Sequence, residues 1–283
     1  ARIQSDRFRN NVIRGFHTEL ETVYEEKNMS LTSDSRKVME VMLSSLFPSH
    51  PYGTQTVLGT QEHLKNPSIT SIKEYYRKWY VPNNIAICLS GDFDPEQMIA
   101  TIDKYFGDMQ PNPDLKYLET KPEQPISSPV IKEVIGLEAE NVTIAGRGPG
   151  SSHEDVDKLN ILSSVLYNGK AGLIDLNILQ KQKTLSAYGY YSELADHGII
   201  AASGRPKAGQ TLDEVKELLL AEMAKLRSGD FDEELIQASV NNYKAQIMGY
   251  LDSNDGRADM FVSSFIYNVP YAEMVSQVER LSK

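Results

Sequence analysis

The chain has one cysteine, one tryptophan and five histidines in 283 residues. Cys88 cannot form an internal disulfide, and it lies in the apolar run Ile85-Ala86-Ile87-Cys88-Leu89, where a buried strand thiol is expected rather than a reactive one. So little cysteine suits the cytoplasm and equally a bacterial periplasmic protein that does not rely on disulfides, so the compartment stays open. No apolar run approaches the roughly 18 residues of a membrane span. The opening Ala1-Arg2-Ile3-Gln4-Ser5-Asp6-Arg7 has neither an initiator Met nor the apolar core of a signal peptide, and its helix-like pattern leads us to expect a chain that starts mid-protein. Dense basic runs are missing too. With a net charge of -10 and a pI near 5.1, a nucleic-acid partner is excluded and the charge reads as solubility.

Several chemistries lack their motifs. No Ser lies in a G-x-S-x-G elbow. Gly146-Arg147-Gly148-Pro149-Gly150 has the glycines of a phosphate loop, but Pro149 removes an N–H and no Lys-Ser/Thr follows, so a turn is expected there. The histidines, His17, His50, His63, His153 and His197, include no pair at a spacing of four. They cannot build a local zinc site, which in a peptidase takes three protein ligands and a water. His17 reads as an exposed helical residue, and His50, in a Pro-flanked loop, as a structural hydrogen-bonding group.

What is present alternates helix and strand signals. Ile13, Phe16, Leu20 and Val23 predict an amphipathic helix from Arg9 to about Glu26, weakened at Gly15. Ser33-Asp34 caps a second helix that stops before Pro48, and Ser68 or Thr70 opens a third, ended by Pro82. Asn84 to Ser90 has the length and apolarity of a strand. Asp94-Pro95 starts a helix closed by Gly107. Five prolines between Gln110 and Pro129 read as an extended linker. Beyond it, strands are expected at Val130 to Val134 and Val142 to Arg147, a helix ending at Asn168-Gly169, and a short helix near Leu173 to Lys181. A β-hairpin is expected around Asp196-His197-Gly198, then helices at Leu212 to Leu226, from Asp232 onward, around Met260 to Tyr267 and at Tyr271 to Lys283. Two α/β units fit this order better than one parallel array: residues 1–109 form the later part of a first domain, 110–129 the linker and 130–283 a second domain, truncated at its C-terminus.

Glu19 and Glu26 are seven residues apart on the first helix. That spacing returns nearly to the same face, so one carboxylate could ligate a divalent metal while the other supports it from behind. A merely solvated acidic face would look the same, since Glu21 and Glu25 lie beside them. Tyr188, Tyr190 and Tyr191 alternate across the expected strand, placing Tyr188 and Tyr190 on one face, for hairpin packing or for contact with a peptide.

Glu19, Val23 and Glu26 fit the pattern E-x-x-x-V-x-x-E. They are followed in order by His50-Pro51-Tyr52-Gly53, Leu58-Gly59, Tyr80-Val81-Pro82-Asn83-Asn84 and Gly91-Asp92-Phe93-Asp94-Pro95. This succession resembles the insulinase/pitrilysin family of inverted-motif zinc peptidases, over most of the chain. The family's H-x-x-E-H signature occurs nowhere between Ala1 and Lys283.

The resemblance implies an α+β fold of two α/β-roll domains, antiparallel sheets backed by helices, with the first domain incomplete. It implies a zinc metallopeptidase that cleaves peptides in an enclosed chamber with a metal-activated water. Glu26 would be the third zinc ligand and Glu19 its supporting carboxylate, while the two histidines and the general base lie upstream. Zn2+ would belong to the full-length protein and not be retained by this fragment, which alone would be inactive. By the resemblance Tyr188 would match a substrate-contacting Tyr, whereas Gln or Lys stands where the family often has an Arg. The expected partners are peptide substrates and the missing parts of the enzyme, or a second copy through an unpaired sheet edge. The rival expectation is a non-catalytic scaffold or partner-binding subunit of the same fold, or one chain of a two-chain peptidase.

Overall fold

A computed structural model describes residues 1–281. The chain forms two compact units, Ala1–Leu137 and Glu138–Lys283. The first holds helices α1 (Arg2–Arg9), α2 (Phe16–Leu31), α3 (Asp34–Leu46), α4 (Pro51–Thr54), α5 (Gln61–Lys65), α6 (Ile69–Trp79) and α7 (Pro95–Phe106), with a 3-10 turn at Pro82–Asn84. Helix starts follow capping chemistry. The Ser68 hydroxyl accepts from the Ser71 N–H, and the Asp94 carboxylate accepts from the Gln97 N–H with Pro95 in the first turn.

Several expectations fail here for physical reasons. The single helix across Arg9 to Glu26 is broken at residues 10–15 because Gly15 takes a left-handed conformation, φ 63°, and becomes the N-cap of α2. The apolar stretches 84–90 and 130–134 form no strand, since a strand exists only as part of a ladder and no described segment of this unit pairs with them. Ile131 is accordingly 90% exposed. Cys88, expected inside such a strand, is only half-buried. The loop after Pro48 is also partly helical, because Pro51 suits the first turn of α4 and the His50 Nδ1 accepts from the Tyr52 N–H at 3.2 Å.

The second unit is a three-stranded antiparallel sheet ordered β1-β3-β2, with β1 Val142–Pro149, β2 Ser186–Glu193 and β3 His197–Arg205. Its helices are α8 (Val156–Leu166), α9 (Leu212–Ser228), α10 (Glu234–Leu251), α11 (Asn254–Tyr267) and α12 (Tyr271–Arg280), with a π-helical turn at Asp175–Leu179. This is the expected α+β build, with helices backing an antiparallel sheet. Strand β1 runs on through Pro149, past the turn expected at Gly146 to Gly150. Residues 282 and 283 of the last expected helix lie outside the described residues. For α10 the cap is Glu233, although the Asp232 carboxylate still accepts from the Glu234 N–H at 2.9 Å.

Small residues decide how closely the helices approach. Ala187 and Gly189 of β2 share a face with Ala202 and Gly204 of β3. A Cβ at Gly189 would come within 2.8 Å of Leu166 Cδ2, and one at Gly204 within 2.6 Å of Val215 Cγ1. That approach closes a core of Leu166, Ile174, Ile178, Ala187, Ala202, Val215 and Leu219.

Candidate functional site

Helix α2 packs against α3 and α5. Its inward side carries Lys27, only 5% exposed, whose Nζ donates to Glu40 Oε1 of α3 at 2.9 Å. A buried ammonium is tolerated only when paired, so this contact fixes the rotation of α2. Thr22, Met29, Glu19 and Glu26 therefore face outward, and both carboxylates are exposed. Seven residues of helix separate them by about 10.5 Å along the axis and about 20° around it. Among the described residues no group of three or more His, Cys, Asp or Glu side chains could hold a metal. Two exposed carboxylates do not fit zinc by themselves, because tetrahedral sites need further N or S ligands.

Tyr188 sits on the face of β2 opposite Gly189, across from Ser203 of β3, and is 45% exposed. Its ring stacks on Tyr190 at 6.2 Å between centroids, 18° between planes, and meets Tyr167 at 6.5 Å. Burial pushes the Tyr190 phenol up, and Tyr188 beside it adds to the shift. The hairpin thus presents two stacked aromatic rings, Tyr188 and Tyr190, on one face. Tyr191 points the other way, over Gly148 and Gly198, and its hydroxyl donates to the Pro149 carbonyl at 2.7 Å.

A polar cluster that the sequence did not suggest joins α8, β2, α10 and α12. Asn160 Nδ2 donates to Glu193 Oε2 at 3.4 Å, and Arg280 Nε donates to Asp157 Oδ2 at 3.0 Å, with Gln277 Nε2 on the other Asp157 oxygen. Burial pushes the Glu193 carboxyl up, the Asn160 bond opposes this, and Asp157 adds to it. Burial also pushes the Tyr243 phenol up, helped by Glu193 and Asp157. Asp157 and Arg280 are 123 positions apart and Asn160 and Glu193 are 33 apart, and no periodicity signals such a meeting.

A raised carboxyl gives stability that is present below the unfolded-state value, about pH 4, and lost as pH rises through the folded-state value. Glu193→Gln keeps the acceptor for Asn160 without the charge. Its unfolding midpoint is expected above that of the parent at pH 7, with the gap closing toward pH 4, as thermal melts across pH would show. A gap independent of pH would remove Glu193 as the titrating group.

Two buried carboxylates, Asp175 and Glu222, have structural work. Asp175 accepts from the Asn168 and Gly172 N–H groups at 3.1 and 2.9 Å. Glu222 accepts from Asn177 Nδ2 at 2.7 Å and Lys225 Nζ at 2.9 Å.

Residues 68–243 match the family model described as the peptidase M16 inactive domain. The chain belongs to the peptidase M16 family. Among its M16 relatives, the zinc protease PqqE of Helicobacter pylori is 24% identical over 77% of this chain and 50% of its own length. An uncharacterized zinc protease of Bacillus subtilis, YmxG, is 24% identical over 84% of this chain and 57% of its own. The chain thus spans about half the length of the curated relatives it matches. In fold, a protease from Helicobacter pylori superposes with TM-score 0.76 at 20% identity, over 95% of this chain and 67% of that one. A peptidase M16 inactive domain from Pseudomonas fluorescens superposes with TM-score 0.77 at 14% identity, over 94% and 63%. This M16 chain is therefore homologous to the inactive-domain portion of zinc proteases. The matched stretch opens at Ser68, the N-cap of α6, and runs to Tyr243 in α10, so Tyr188 falls inside it and Glu19 and Glu26 precede it.

Proposed function

We propose that this chain is the non-catalytic portion of a zinc-dependent M16 peptidase and contributes one metal ligand, Glu26, to a site completed by residues outside it. Glu19 supports that ligand, and Tyr188, with Tyr190 beside it, contacts the peptide substrate. Residues 110–129 link the domain-like stretches 1–109 and 130–283. The observation that carries this reading is the outward, solvent-facing presentation of Glu19 and Glu26 on a helix whose rotation the Lys27–Glu40 pair sets. A carboxylate held this way can meet a histidine pair brought by another segment or subunit.

The scaffold reading has one observation in its favour, the inactive-domain description of the matched stretch. The protein that carries this chain, purified from its native source with whatever accompanies it, separates the two. We expect one zinc per chain by plasma mass spectrometry, and hydrolysis of an unstructured fluorogenic peptide that a chelator abolishes and added zinc restores. Zinc-free protein without peptidase activity would overturn the proposal in favour of the scaffold.

A further inference from the structure

Two sequence motifs that the proposed metal site does not use, His50-Pro51-Tyr52-Gly53 and Tyr80-Val81-Pro82-Asn83-Asn84, meet the Pro-rich stretch after Gln110. Asn83 and Asn112 grip each other: Asn83 Nδ2 donates to the Asn112 carbonyl at 2.8 Å, and the Asn112 N–H donates to Asn83 Oδ1 at 2.9 Å. Asn112 Nδ2 also reaches the Lys78 carbonyl at 3.2 Å. The Tyr117 hydroxyl donates to Asn84 Oδ1, and its ring lies 5.7 Å from that of Trp79. Asn84 is itself oriented by its Nδ2 bond to the Trp79 carbonyl at 3.0 Å. Further on, Glu123 Oε1 accepts from the backbone N–H groups of both Ser49 and His50 at 2.8 Å. Between these contacts, residues 118–122 are exposed.

We infer that residues 110–123 are a docked strap latched at both ends on the first unit. Each latch answers a backbone need. Ser49 and His50 carry the N–H groups ahead of α4, which an anionic acceptor satisfies strongly. The asparagine pair closes the chain leaving the 3-10 turn. Because the strap between the latches is short and otherwise solvated, releasing one end frees slack that loosens the other. The sequence reads as an extended linker because proline content signals an extended chain, not whether that chain is bound.

The test uses the whole chain and follows amide exchange by NMR together with trypsin cleavage at Lys116–Tyr117. Glu123→Ala is expected to speed exchange of the Ser49 and His50 amides, to speed that of the distant Asn112 amide, and to raise cleavage at Lys116 by on the order of tenfold. Amides of β3 in the second unit should keep their protection. Glu123→Gln, which keeps an acceptor oxygen, should restore much of the parent behaviour. Asn83→Ala should do the converse, loosening the Ser49 and His50 amides, and covers the case in which Glu123→Ala does not fold. Two results would overturn the strap: parent chain cut at Lys116 as fast as an unstructured peptide, or variants whose effects stay confined to the latch they remove.

Discussion

Gly53→Ala is expected to destabilise the first unit by about 3 kcal/mol or more, at the upper end of what overpacking costs. Gly53 lies in α4, and a Cβ there would come 2.2 Å from the Phe47 carbonyl oxygen, 2.5 Å from that of Leu43 and 2.8 Å from the Phe47 carbonyl carbon. All three atoms are backbone at the end of α3, so no side-chain rotation relieves the contact. Phe47 is fully buried, with Tyr52 edge-on to it at 5.7 Å and His50 at 6.3 Å. The methyl group therefore forces α4 off α3 or opens this aromatic nest, and either displaces the Ser49 and His50 amides from Glu123.

Calorimetry or urea melts followed by tryptophan fluorescence would read the change, since Trp79 belongs to the same unit. The midpoint should fall by on the order of 10 °C. Gly146→Ala is the control: its Cβ would meet nothing within 4 Å, and its effect should stay within about 0.5 kcal/mol. An unchanged midpoint for Gly53→Ala would mean that α4 does not seat against α3 as described.

What the sequence disclosed and what it hid divide by range. Asp94 and Ser68 cap helices because the cap and the N–H it satisfies are three residues apart. Gly229 ends α9 in a left-handed conformation, φ 71°, for an equally local reason. The hairpin of β2 and β3 was legible because each strand finds its partner within a few residues. The stretches 84–90 and 130–134 have the same strand composition and form none, since a ladder needs a partner that composition cannot name. Gly15 marks a weak point in the sequence, but a break follows only where a left-handed φ is adopted, as it is here.

The candidate site divides in the same way. That Glu19 and Glu26 share a face follows from helical period. That this face looks outward follows from Lys27 finding Glu40, thirteen residues on and in another helix. Stacking of Tyr188 on Tyr190 follows from strand alternation. The cluster of Asp157, Asn160, Glu193, Tyr243 and Arg280 draws on four elements, and only folding assembles it.

Glu26→Gln, made in the protein that carries this chain, should remove most of the zinc and lower kcat/KM by on the order of 10³-fold. The magnitude corresponds to losing several kcal/mol of metal-dependent stabilisation at 1.36 kcal/mol per decade. Gln has the size and helix propensity of Glu, and position 26 is exposed, so with zinc stripped from both proteins the variant's stability should stay within about 0.5 kcal/mol of the parent's. Glu19→Gln, acting through the ligand, should cost only about 10- to 100-fold and leave the metal partly bound. Glu40→Gln distinguishes a ligand from its mount. It leaves the buried Lys27 ammonium without its Glu40 carboxylate, which should lower stability by about 1–3 kcal/mol and weaken zinc only as far as α2 turns. Zinc stoichiometry, kinetics and melting on the three variants together give each residue its own signature. Full zinc and unchanged kcat/KM in Glu26→Gln would place the third ligand elsewhere and leave the acidic face of α2 as ordinary solvated surface.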